Sequence, residues 1–157
     1  MTEEDFMKAA LTEAHSAAEE NEIPVGAVAV LNGEIIAGEH NRMEQLKDAT
    51  AHAEILLIRK VSSIIGDWRL SDITIYVTKE PCVMCGGAMV NAHLKKVVYG
   101  LRDPRSGADT LGLLRSKALL YHVESSGGIL ENECKEQFQS FFVRRRQEQK
   151  AIHDRQK

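Results

Sequence analysis

Four residues in two short segments could do chemistry together. His52 and Glu54 lie in Thr50-Ala51-His52-Ala53-Glu54, and Cys82 and Cys85 in Glu80-Pro81-Cys82-Val83-Met84-Cys85. Imidazole and thiolate are favoured zinc donors, and a catalytic zinc keeps three protein ligands with a fourth position open to water. One histidine and two cysteines make such a set, and the bare site is neutral. A carboxylate beside it that is not a ligand can take a proton from water acidified by the metal. Pro81 tolerates the position at or before a helix start. Cys82 and Cys85 then fall on one face of a first helical turn, where free N–H groups and the helix dipole favour thiolates. Within a helix His52 and Glu54 would point to nearly opposite sides. At a helix start both can face one object beyond its N-terminus, with Asp48 or Thr50 as the expected cap. Each segment alone is a weak sign. His-x-Glu is a short motif, and Cys-x-x-Cys can be a redox pair or a structural half-site, although no thioredoxin-type context surrounds it here.

The elements that must position these residues alternate. Thr2 and Asp5 form a capping box for a first helix whose buried face carries Phe6, Ala10, Ala14 and Ala17, flanked by Met7 and Leu11 and ending near Asn21 before Pro24. Val25 to Leu31 and Glu34 to Gly38 read as a hairpin around Asn32-Gly33, a type I′ turn signal. A second helix is expected over about Ala51 to Ser63, burying Ile55, Leu56 and Ile58. Ile73 to Val77 is a strand, and a third helix starts at or just after Cys82 and runs to about Asn91. Val97 to Tyr99 is a short strand, Gly107 to Ala118 contains a short helix, and Tyr121 to Glu124 is a final strand. The last helix runs from about Glu131 through Phe141-Phe142 into a basic tail. Strands separated by helices need crossovers and some parallel pairing. The expected fold is therefore an α/β domain, a three-layer α/β/α sandwich with a mixed sheet of about five strands.

The chain's 157 residues suit a single domain, 1-157, with a basic C-terminal helix from about 131. A net charge of −3 excludes binding long duplexes by charge alone. The charge is uneven, however. Lys8 is the sole Lys or Arg up to Glu22, whereas basic residues outnumber acidic ones from Arg144 to Lys157, which suits a short structured RNA. The 3 cysteines rule out a fully paired disulfide framework. No apolar run spans a bilayer, and the acidic start Thr2-Glu3-Glu4-Asp5 is not a signal peptide, so a cytoplasmic protein is expected.

His-x-Glu followed by Pro-Cys-x-x-Cys resembles the signature of the zinc nucleoside and nucleobase deaminases. Over nearly the whole chain the sequence is similar to the bacterial tRNA-specific adenosine deaminases. The likeness runs through Ile23 to Val28, Asn41-Arg42, Thr50 to Glu54, Tyr76 to Cys85, Arg102-Asp103, Gly107-Ala108, Gly128 to Leu130 and Phe141 to Gln147. It implies a cytidine-deaminase-like fold and one zinc per chain, held by His52, Cys82 and Cys85. It implies that hydroxide attacks C6 of adenine at the first anticodon position of a tRNA anticodon stem-loop and that inosine results. Glu54 then shuttles protons from the water to the purine ring nitrogen and the leaving ammonia. Asn41 is implied to seat the base and Asp103 to lie near the ribose. Arg42, Arg105, Arg145 and Arg146 become candidates for phosphate contacts, against surface salt bridges as the plainer role. A homodimer is also implied, with Leu111 to Leu114 and Leu119-Leu120 as apolar stretches that could serve it. Three departures from the family stand out: Lys79 in a usually apolar place, Ala49 for a common proline, and the stiff Pro104-Arg105-Ser106.

Two rival functions share parts of this pattern. A guanine or cytosine-type free-base or nucleotide deaminase would use the same zinc and Glu54 but has no need of the basic last helix. A structural zinc module that only binds RNA would need a fourth protein ligand, for which Cys134 and His93 are the candidates.

Overall fold

The computed structural model describes residues 1–157. Helix α1 (Glu3–Glu19) opens with the expected capping box: the Thr2 hydroxyl accepts from the Asp5 N–H, and the Asp5 carboxylate accepts from the Thr2 N–H. Its buried stripe is Phe6, Met7, Ala10, Ala14 and Ala17. Strands β1 (Gly26–Leu31) and β2 (Glu34–His40) are joined by Asn32 and Gly33, whose φ values of 51° and 79° are those a type I′ turn requires. Pairing continues to Gly26↔His40, so β2 runs past Gly38, where the sequence placed its end. A one-turn helix unforeseen from sequence, α2 (Met43–Leu46), follows. It forms where the Glu44 and Gln45 N–H groups donate to the buried Glu22 carboxylate at 2.9 and 2.8 Å.

Helix α3 (Ala53–Ile65) buries Ala53, Glu54, Leu57 and Val61, not the expected Ile55, Leu56 and Ile58, which are half-buried. The row at four-residue spacing from Ala53 is the one that meets the sheet, turned away from the face that residue size alone suggested. Strand β3 (Thr74–Lys79), helix α4 (Val83–Asn91) and strand β4 (Lys96–Leu101) come next. Over Gly107 to Ala118 there is only a 3-10 turn at Leu113–Arg115, preceded by Gly112 at positive φ. The last strand, β5 (Glu124–Gly127), lies beyond the expected Tyr121 to Glu124. Tyr121 instead stacks on His93 and donates its hydroxyl to the His93 carbonyl. Helix α5 (Glu131–Arg155) closes the chain.

The five strands lie in the order β2-β1-β3-β4-β5. β1 is antiparallel to β2 and β3, while β3, β4 and β5 are parallel. Alternate strand residues serve opposite faces. Ala27, Ala29, Ile75, Val77 and Val97 pack with Leu57, Val61 and Met89 of α3 and α4. Val28, Val30, Tyr76 and Val98 pack with Phe6, Met7 and Ala10 of α1 and Cys134 of α5. This is the three-layer sandwich with a mixed sheet read from the sequence.

Register decides where chemistry can occur. Gly26 pairs with His40, and Ala27 with Val77. The end of β2, the start of β1 and the end of β3 therefore share one edge of the sheet. That edge gathers Val25, Asn41 and Lys79 to Cys82. No helix is long and apolar enough to cross a membrane.

Candidate active site

Two helix starts meet at this edge. His52 is the N-cap of α3 and Cys82 the N-cap of α4, both with extended backbone, and neither side chain hydrogen-bonds its own helix end. Both are thus free to face outward. Asp48 does not cap α3 as expected. Its carboxylate accepts from the Thr50 N–H and hydroxyl at 2.8 and 2.7 Å, shaping the turn that precedes His52. Cys85 sits in the first turn of α4 and is fully buried.

The ligand atoms of His52, Cys82 and Cys85 all lie within 4.8 Å of one another. His52 Nδ1 is 3.6 Å from Cys82 Sγ and 3.4 Å from Cys85 Sγ. Tetrahedral zinc with ordinary bond lengths separates a sulfur and a nitrogen ligand by about 3.6 Å, so the residues fit that ion. Hydrogen bonding from Cys85, with His52 beside it, holds the Cys82 thiol down, to about 3. The neighbouring Cys82 sulfur and burial push Cys85 up. The Cys82 contact raises His52. Glu54 lies in the first turn of α3, outside the ligand set, with its carboxyl buried and its pKa raised by that burial.

Above these groups is a cavity of ≈ 200 Å³. Ile23, Val25, Asn41 and Met43 line one side, His52, Ala53 and Glu54 the α3 side, Lys79, Glu80 and Cys82 the β3–α4 side, and Phe138 of α5 the remainder. Asn41 is buried; its amide donates to the Ile23 carbonyl at a long 3.4 Å, and its Oδ1 has no partner. A buried acceptor left unpaired costs about 1–3 kcal/mol, a penalty that a ligand's donor would remove.

Asp103 stands one shell back from the cavity. Its Oδ1 accepts from the Arg105 and Ser106 N–H groups, and its Oδ2 from the Ser106 hydroxyl and the Lys79 ammonium at 3.1 Å. Burial works to raise its carboxyl, but these donors together hold it well below the carboxylate range. Because the folded state binds this proton less readily, the linked stability is present above the ordinary value of 3.8 and fades as pH falls below it. Asp103→Ala should cost about 1–2 kcal/mol near neutrality, roughly 3–6 °C in Tm. Thermal unfolding at neutral and strongly acid pH should show the gap between variant and parent closing in acid.

The four arginines differ. Arg42 is turned into the protein, 3.2 Å from Glu39, 3.1 Å from Gln45 and 3.8 Å from Glu20, beside the buried His40 that bridges Glu13 and Glu20. Arg145 lies over Phe141 and reaches the Asn21 carbonyl at 3.4 Å. Arg146 lines two grooves flanking α5, one with Asn41 and Arg145, the other with Arg105, Lys135 and Phe138.

Sequence reasoning did not single out Ile23, Met43, Glu80 or Phe138. Phe138 precedes Phe141-Phe142 at helical spacing, which was the available signal. Glu80 accepts from the Asp103 and Thr110 N–H groups and the Thr110 hydroxyl, tying the loop after β4 to the end of β3. A Cβ on Gly107 would run into the Glu80 carboxylate, so any other residue there has to displace it from these donors. Cys134 is buried against Gly100, its thiol pushed up to about 12 by burial, and His93 is stacked on Tyr121. Neither joins the ligand group, so a structural zinc site lacks its fourth ligand.

Three ligands that leave a fourth position open, with a buried carboxylate beside them, are the parts of a hydrolytic metal site. The family model described as MafB19-like deaminase matches residues 1–146. The chain is 43% identical over 154 residues to a tRNA-specific adenosine deaminase of Bacillus subtilis (strain 168), covering 96% of each. A solved structure from studies of A-to-I editing by tRNA deaminases at the wobble position superposes with a TM-score of 0.81 at 39% identity, covering 85% of this chain and 98% of that one. A guanine deaminase structure from Bacillus subtilis is 40% identical, but covers 65% of this chain and 66% of that one, with a TM-score of 0.62. The chain belongs to the deaminase family, in the branch of the tRNA-specific adenosine deaminases.

Proposed function

We propose that this chain hydrolyses adenosine to inosine at the first anticodon position of tRNA. The observation that carries the chemistry is a buried carboxylate, Glu54, beside a three-ligand His52–Cys82–Cys85 group at the floor of a cavity. These three residues would hold zinc. Bound there, the metal would supply the Lewis acidity that makes water a nucleophile at neutral pH.

Glu54 moves the protons. It takes one from the attacking water, passes it to the purine ring nitrogen, and serves the amine as it departs from C6. Water and the amino group are thereby exchanged for a carbonyl and ammonia. Asn41 offers an unpartnered acceptor and a weakly engaged donor to the base edge. Ile23, Val25, Met43 and Phe138 exclude water and face the ring. At ≈ 200 Å³ the cavity is below the drug-sized range of roughly 300–1,000 Å³ and suits one flipped base. Arg145 and Arg146 of α5, with Arg105 on the loop beside it, serve the phosphates of the anticodon stem-loop. Arg42 serves instead by holding the chain next to Asn41. In this reading the chain is one cytoplasmic domain that pairs as a homodimer. The exposed Leu111 and Leu120 favour a second copy, whereas Leu114 belongs to the core.

The test is inosine formation in an anticodon stem-loop by purified protein of measured zinc content, beside free guanine, cytidine and adenosine. Conversion of the stem-loop is expected. Rapid turnover of a free base with the stem-loop untouched would overturn the tRNA reading in favour of the guanine- or cytosine-type alternative.

A further inference from the structure

Lys79 is the only lysine or arginine that lines the catalytic cavity. Glu80 and Cys82 share its side of the cavity, and Glu54 faces it from α3. Lys79 is therefore the one cationic side chain that an incoming phosphate would meet at the cavity itself. The Lys79 side chain is 28% exposed, so its head is wet while its stem is covered. It points between Asp103, 3.1 Å away, and the face of Phe138, 5.5 Å away.

Neither contact uses up the lysine. An ammonium has three donors, and Asp103 takes one. Asp103, in turn, does not depend on Lys79, since it keeps the Arg105 and Ser106 N–H groups and the Ser106 hydroxyl. The ammonium can therefore turn to another anion without leaving a buried carboxylate unpaired. The ammonium also lies within cation–π reach of the Phe138 ring.

We infer that Lys79 binds a backbone phosphate flanking the target nucleotide, selecting a base presented within a polynucleotide chain over a free base or nucleoside. The inference rests on the tRNA reading above and sharpens it: Asp103 parks the ammonium at the mouth of the cavity, and the incoming phosphate takes it over.

The test pairs Lys79→Met and Lys79→Arg with stem-loops carrying one neutral methylphosphonate, placed 5′ or 3′ of the target nucleotide, in the zinc-loaded protein. In the unaltered protein one of the two positions should weaken binding by about 5- to 10-fold, and in Lys79→Met the same change should add less than about 2-fold. Lys79→Met should also flatten the dependence of log K on log salt by about 1, with Lys79→Arg restoring it. A structural role alone would not move either readout. Equal losses in both proteins at both positions, or an unchanged salt slope, would overturn the inference. If the unaltered protein makes no inosine in the stem-loop, the tRNA reading fails and the inference falls with it. If inosine forms but Lys79→Met behaves as the parent does, the inference alone fails.

Discussion

Glu54→Gln should leave the zinc content of the protein unchanged and lower kcat by about 10³-fold, within the range of roughly 10²–10⁴ that a positioned acid–base group supplies. Glutamine fills the same buried space in the first turn of α3 but cannot take a proton from water. His52, Cys82 and Cys85 form a complete three-ligand set without it. Replacing a buried carboxyl that burial works to keep protonated with a neutral amide should not destabilise the protein. Its Tm should match the parent's or exceed it slightly. Metal analysis, thermal unfolding and single-turnover inosine formation, read together, check the assignment. A Glu54→Gln protein that keeps its zinc and most of its turnover would show that the protons travel by another route.

Cys85→Ala should have an even larger effect, because it removes the metal. Two ligands remain, His52 and Cys82, and no other cysteine or histidine stands within reach. Zinc should fall well below one ion per chain and activity to background, a loss of at least about 10³-fold. Stability should drop as well, since an ion that binds only the folded state contributes RT ln(1 + [L]/Kd), about 2.7 kcal/mol when it is present at a hundred times its Kd. Chelation of the unaltered protein should reproduce that part of the loss, and returning zinc should reverse it there but not in the variant. Cys134→Ala gives the contrast. This thiol lies on α5, buried against Gly100 of β4, so its loss should reduce stability through the cavity it leaves while zinc content and turnover persist.

Much of the site was legible before any fold was known, because ligand chemistry is local. The Pro81-Cys82-x-x-Cys85 run carries its own helix start, and His52 and Glu54 announce a second one. What could not be read locally was which atoms lie within reach. Glu80 is two residues from Cys82, but its partners Asp103 and Thr110 lie beyond β4, and Phe138 reaches the cavity only through the return of α5. The same limit explains the misplaced last strand. Tyr121 to Glu124 looks like a strand by residue type, but the β4 ladder pairs Lys96 with Glu124, and Tyr121 is taken by His93. The buried row of α3 was likewise set by how the helix docks on the sheet, not by which of its residues are largest.

Arg42 and Asp103 mark the boundary most clearly. In the sequence Arg42 is a cation beside Asn41 and Asp103 an acid after Arg102. In the fold Arg42 is spent on Glu39 and Gln45, and every acceptor position of Asp103 is taken. Charge and position along the chain do not reveal whether a side chain is already satisfied, because its partners come from other elements. By itself the sequence determined the ligand types, the carboxylate beside them, the capping box, the type I′ turn and the alternation of helices and strands. Those follow from donor chemistry and from backbone preferences within a few residues. The tertiary structure alone decided that two helix N-caps meet at 3.6 Å, with Cys85 3.4 Å from the first of them, and that Asn41 keeps an unpaired acceptor there. It alone placed one lysine at the mouth of the cavity, because strand register is a contest among distant segments for the same edge of the sheet.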